Sequence, residues 1–126
     1  MFVIDVMSRV PVYEQIIKQV EEQVLTGILK EGDKLPSVRS LSVKLSINPN
    51  TIHKAYTELD RRQMIITVPG KGSFISQKAV EVVGASSREK IPELAKIIRD
   101  LALAGVTKDE IIRNVNEVFD EMEGEE

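Results

Sequence analysis

Between Asn48 and Lys54 the chain gathers amide, hydroxyl, imidazole and ammonium groups: Asn48, Asn50, Thr51, His53 and Lys54. Such groups suit hydrogen bonds to base edges and phosphates. His53 can donate or accept toward a base, and Lys54 beside it suits a phosphate. Upstream stand Ser37 and Arg39, and Arg39 can meet a guanine edge with two parallel hydrogen bonds or hold a phosphate. Downstream, Lys71 is flanked by Gly70 and Gly72, which let the backbone come close to a ligand. That lysine fits a minor groove or a phosphate, or it simply solvates a turn. Helix capping alone explains Asn48, whereas Asn50 is left for a base or phosphate contact. The common denominator of these residues is recognition of duplex DNA.

Catalytic chemistry finds no comparable set. The run Gly70-Lys71-Gly72-Ser73 is superficially like a phosphate loop, but Ile65 and Gly72 occupy the places where that loop needs Gly and Ser or Thr. Carboxylate neighbours such as Glu21-Glu22, Asp109-Glu110 and Glu121-Glu123 read as solvated helix faces. No serine has the base partner that nucleophilic attack requires. With no cysteine and one histidine, disulfides, thiolate metal sites and histidine clusters are all excluded, and no cofactor is called for. No basic, apolar leader opens the sequence, and its apolar runs fall well short of the ~18 residues that span a bilayer, so a reducing cytoplasm is the expected address.

The elements that must hold the polar residues can be read from apolar spacing. Tyr13, Ile16, Ile17, Val20 and Val24 share one face of a helix expected over 11–26, which Gly27 stops. After a turn at Gly32-Asp33, Ser37 is placed to cap a short second helix with Val38, Leu41 and Leu45 inside. Asn48 and Pro49 then begin a third helix whose buried stripe is Ile52, Ala55, Tyr56 and Leu59. That stripe turns Asn50, Thr51, His53, Lys54 and Thr57 outward, while Tyr56 is expected in the core with its hydroxyl at the surface. Strand-like MIITV, a turn at Pro69-Gly70-Lys71-Gly72 and a returning SFI make a hairpin. The order is that of a winged helix-turn-helix.

Residues 79–90 lose periodicity and include Gly84-Ala85-Ser86-Ser87, expected as a hinge or a helix entry, so the winged domain is assigned to 1–78 and a linker with two helices to 79–126. In the second part Ile91, Leu94, Ile97, Ile98 and Leu101 repeat at helical spacing up to Gly105. A Thr107/Glu110 capping box opens a final helix lined by Ile111, Ile112, Val115, Val118, Phe119 and Met122. Two such helices, expected as an antiparallel pair, leave apolar surface over, which implies a second copy of the chain. The acidic tail from Asp120 to Glu126 is expected to fray. The fold class is therefore mostly α with a small β-hairpin.

Charge follows the same division. The net charge is -3, yet residues 1–78 hold eleven Lys/Arg against eight Asp/Glu, and residues 79–126 six against twelve. Within 33–78 the balance is eight to three, the sign that counterion release at phosphates favours.

With these residues set out, the chain resembles the GntR family of transcription regulators, and its short helical tail is similar to the YtrA-like branch. The resemblance is carried by PVYEQI at 11–16, GDKLPSVR at 32–39, NPNTI at 48–52, Lys54-Ala55-Tyr56 and GKGSF at 70–74. It implies a homodimeric regulator, expected to be a repressor, bound to an inverted-repeat operator through the LPSVR arginine, the first turns of the third helix and the wing glycine loop. Mapped here, those contacts are Ser37, Arg39, Asn48, Asn50, Thr51, His53, Lys54, Lys71 and Gly72. About forty residues in two helices are too few to enclose a ligand pocket of ordinary size, so the tail is read as a dimerisation element and a small-molecule effector stays unassigned. Gln63 stands where the family commonly has glycine, and is expected to extend or distort the end of the third helix. The competing reading is a winged-helix adaptor that binds another protein through its acidic helices.

Overall fold

The computed structural model describes residues 2–124. Helix α1 (Val12–Leu25) begins at Pro11 and buries Ile16, Ile17, Val20 and Val24 on one side. Its last turn ends where Gly27 takes a φ of 79°, a left-handed value that glycine adopts without a Cβ clash. Ser37 caps α2 (Val38–Leu45) by accepting a hydrogen bond from the Ser40 amide at 3.0 Å. Asn48 does the same for α3 (Pro49–Arg61), accepting from the Asn50 amide at 2.8 Å, with Pro49 at the position where a missing N–H costs nothing. The anticipated stripe of Ile52, Ala55, Tyr56 and Leu59 is buried in full. Full burial of side chains such as Ile16, Ile52 and Leu59 contributes roughly 1.5–3 kcal/mol each.

The wing consists of β1 (Ile65–Val68) and β2 (Gly72–Ile75), antiparallel with Ile65 opposite Ile75 and Val68 opposite Gly72. Between them Lys71 N–H donates to Val68 C=O at 2.9 Å while Gly70 has a φ of 78°, the form of a type II turn with proline at its second place. A third short segment completes the sheet. Lys34 bridges Phe74, Leu35 N–H donates to Ser73 C=O at 2.9 Å, and Ile75 N–H donates to Asp33 C=O at 2.8 Å.

The residues before α1 form an arm that sequence patterning does not reveal. Phe2 enters the core, and Gln19 pairs with both backbone groups of Val3, donating at 2.6 Å and accepting at 2.9 Å. Gln15 does likewise at Asp5, at 2.9 Å each way. A side-chain amide offers the same donor and acceptor as a peptide, so these glutamines stand in for a neighbouring strand.

Residues 79–88, expected as a linker, form a helix instead. Helix α4 (Ala79–Arg88) buries Ala79 and Val83 in the core formed by α1, α3 and the wing, and Gly84 lies inside it rather than at a hinge. The chain divides into a first compact unit ending at Ser86 and a second beginning at Ser87. The second holds α5 (Ile91–Leu103) and α6 (Lys108–Gly124), joined through Gly105 at a φ of 96°. Thr107 Oγ1 accepts from the Glu110 amide at 3.2 Å, which is half of the anticipated capping box. Neither helix has a buried residue among those described. Helix α6 runs on to Gly124, through part of the tail expected to fray; Glu125 and Glu126 lie outside the described residues.

Candidate nucleic-acid interface

One side of α3 presents Asn50, His53, Lys54 and Thr57 to solvent, with Thr51 half-buried beside them. Asn48 Oδ1 is committed to the cap, which leaves the amide nitrogen of that side chain for an outside acceptor. The amides of Asn50 and Thr51 are both taken up by Asn48, so what the helix start adds toward a phosphate is the positive end of its dipole. Lys54 points back toward α1, its ammonium 3.9 Å from the centre of the Tyr13 ring. That cation–π contact fixes the lysine at the α1/α3 surface. Tyr13, counted from the sequence only as an apolar position, is thereby a neighbour of the site. Its hydroxyl donates to Glu14 at 3.2 Å, and this acceptor holds the phenol above its usual pKa.

Helix α2 is held against α3 by a bond that corrects the sequence reading. The Tyr56 hydroxyl is not simply left at the surface; it donates to the Pro36 carbonyl at 2.7 Å, and burial pushes its pKa up. The carbonyl belongs to the residue before the Ser37 cap, so this bond helps to place Ser37 and the exposed Arg39 relative to α3. Ser42 Oγ adds a second tie by donating to the Ile47 carbonyl in the turn between the helices.

Helix α3 and the wing flank an open cleft of about 460 Å³, lined among others by Val38, His53, Thr57, Arg61, Thr67 and Ser73. Thr67 Oγ1 and Ser73 Oγ, 3.2 Å apart, bring two hydroxyls to its wing side. Neither was singled out from the sequence, because only strand pairing brings them together. Lys71 is exposed on the turn, and Gly72 is half-buried.

Besides Lys54, two sets of cations bear on this surface. Arg61 and Arg62 are engaged: Arg61 pairs with Glu58, and Arg62 pairs with Glu58 at 3.0 Å and with Glu21 of α1 at 2.9 Å. Two guanidinium donors hold the Glu58 carboxyl down to about 2. Lys34, Arg39, Lys44 and Lys71 have no ion-pair partner among the described residues. Gln63 does not distort the helix end as expected. The helix stops at Arg61, and Gln63 itself adopts the left-handed value of 66° that glycine would take, with its carbonyl accepting from Ser76 Oγ at 2.6 Å. Among the described residues no group of carboxylates or histidine is arranged to hold a metal ion, and no helix is long and apolar enough to cross a membrane.

Comparison with known proteins gives consistent matches. The model of the bacterial regulatory proteins, gntR family, matches residues 12–75. The HTH-type transcriptional repressor YtrA of Bacillus subtilis is 42% identical over 125 residues, 98% of this chain and 96% of that protein. Among solved structures, a transcriptional antiterminator from Listeria monocytogenes superposes with a TM-score of 0.72 at 41% identity, over 94% of this chain and 89% of that one. YtrA from Sulfolobus acidocaldarius, a GntR-family transcription factor, gives 0.56 at 31% identity, over 95% of this chain and 97% of that one.

Proposed function

Because this chain belongs to the gntR family of bacterial regulatory proteins, a DNA-binding transcription regulator, we propose that it acts as a homodimeric repressor on an inverted-repeat operator. The observation that carries the reading is the solvent-facing side of α3: Asn50, His53, Lys54 and Thr57 stand exposed on a helix whose opposite side is wholly buried. In helix-turn-helix docking such a face enters the major groove, where amide and imidazole groups read base edges. Arg39 reaches from α2 toward a guanine or a phosphate, and Ser37, Asn48, Thr51 and Lys54 bind backbone phosphates around the entry of α3. Lys71 and the backbone at Gly72 approach the flanking duplex from the wing.

The second copy is supplied by α5 and α6, whose apolar residues are uncovered in the single chain. A twofold pair of identical heads matches a twofold DNA site. Selection of bound duplexes from a random pool, with sedimentation beside it, tests the whole reading. Enrichment of an inverted repeat by a dimer is the expected result; a monomer that enriches no sequence favours a protein-binding adaptor instead.

A further inference from the structure

The wing glycine invites a closer look at what lies over it. A Cβ built on Gly72 would sit 2.8 Å from Lys34 Cε, 3.9 Å from Cδ and 3.6 Å from Nζ, and Gly72 has a φ of 123°. The end of the Lys34 side chain therefore occupies the space that a Cβ on Gly72 would fill. This is the diagonal contact of an antiparallel sheet: Lys34 bridges Phe74, and Gly72 is two residues back on the same strand. The lysine's backbone is pinned on both sides by the bonds from Leu35 N–H to Ser73 C=O and from Ile75 N–H to Asp33 C=O. The adjacent carboxylate is occupied, since Asp33 Oδ2 accepts from the Lys30 amide at 2.8 Å. The Lys34 side chain is exposed and has no ion-pair partner among the described residues.

We propose that Lys34 is a phosphate-contacting residue of the wing, its side chain crossing Gly72 so that the ammonium stands next to the Lys71 turn. A lysine stem laid along a glycine loses less freedom on meeting a phosphate than one waving in water, because it is already restrained. The wing then carries two cations from distant parts of the sequence, one from the turn and one from the segment before α2. The inference rests on the reading of this chain as an operator-binding protein, and the test keeps the two separable.

The full chain is titrated at several salt concentrations against a duplex that the wild type selects from a random pool and against an unrelated duplex of equal length. Lys34→Met keeps the stem and removes the charge. It is expected to retain the wild-type thermal midpoint and to lower the slope of log affinity against log salt by about one unit on both duplexes. An unaltered slope in a folded Lys34→Met protein that still binds the selected duplex overturns this inference alone. So does a lowered midpoint without a change in slope, which marks a purely structural lysine. Failure of the wild type to bind any duplex overturns the operator-binding reading, and this inference with it.

Discussion

The Tyr56 hydroxyl ties the segment before α2 to α3 in the DNA-reading unit. Tyr56 donates to Pro36 from a side chain that is only 5% exposed, so removing the oxygen leaves a partly buried carbonyl without its partner. Tyr56→Phe is expected to lower stability by about 1 kcal/mol in urea unfolding, and to weaken operator binding beyond what that loss explains, because Arg39 is no longer held in register with α3. Operator affinity unchanged at full folding would reduce the bond to a packing detail. Arg39 itself is probed directly: Arg39→Ala is expected to weaken the selected site by roughly 1–3 kcal/mol and to relax preference at one base pair if the side chain reads guanine. Equal weakening on every duplex would make it a phosphate ligand. Much at this scale was legible in the sequence, since Ser37 and Asn48 announce their caps by type and position. The pairing of Tyr56 with Pro36, of Lys54 with Tyr13 and of Lys34 with Gly72 was not, because each joins residues whose proximity depends on tertiary packing.

Helices with a wide apolar face and a strong cap were readable as elements, which is why α1, α2 and α3 fall close to their expected limits. Helix α4 was not, for a physical reason. It buries only Ala79 and Val83, one turn apart, and its remaining sequence of valines followed by Gly84-Ala85-Ser86-Ser87 has low helix propensity. Packing of two small side chains outweighs that preference. Gln63 is a related case, in which the Ser76 hydroxyl bond and the register of β1 hold a non-glycine residue in the left-handed region. Gln63→Gly is expected to stabilise the protein by up to about 1 kcal/mol, read as a higher urea midpoint with an unchanged slope.

The ion-pair network between α1 and the end of α3 gives a pH signature. The Glu58 carboxyl is lowered from 4.5 to about 2 in the folded chain. A depressed folded value means that the network contributes fully above the unfolded pKa and is lost as pH falls from about 4.5 toward 2. Thermal midpoints followed through that window should drop in the wild type and drop less steeply in Glu58→Gln, while the two curves run parallel at neutral pH. Identical acid limbs would show that the pairs are too well solvated to matter.

At the scale of the whole molecule, the deciding feature is apolar surface that one chain does not cover. Leu101 is 40% exposed on α5 and Phe119 60% exposed on α6, and each stands in a row of apolar residues at helical spacing. Continuous apolar rows on a water-facing helix are stable only when something covers them. In the proposed dimer a second copy would do so with its own identical rows, and would in the same step double the DNA contacts, because two tethered heads meet two half-sites at high effective concentration. A polar break in both rows therefore has a distinct expected result. Leu101→Lys combined with Phe119→Lys should yield a monomer by sedimentation. Affinity for the complete inverted repeat should fall by on the order of 10²-fold or more, while affinity for an isolated half-site stays near that of the wild type. Neither residue belongs to the core of the first unit, so the unfolding midpoint of that unit should be retained. A double variant that still sediments as a dimer would place the contact elsewhere on the chain, and a monomer that binds the complete site as tightly as the wild type would remove the need for a pair of heads.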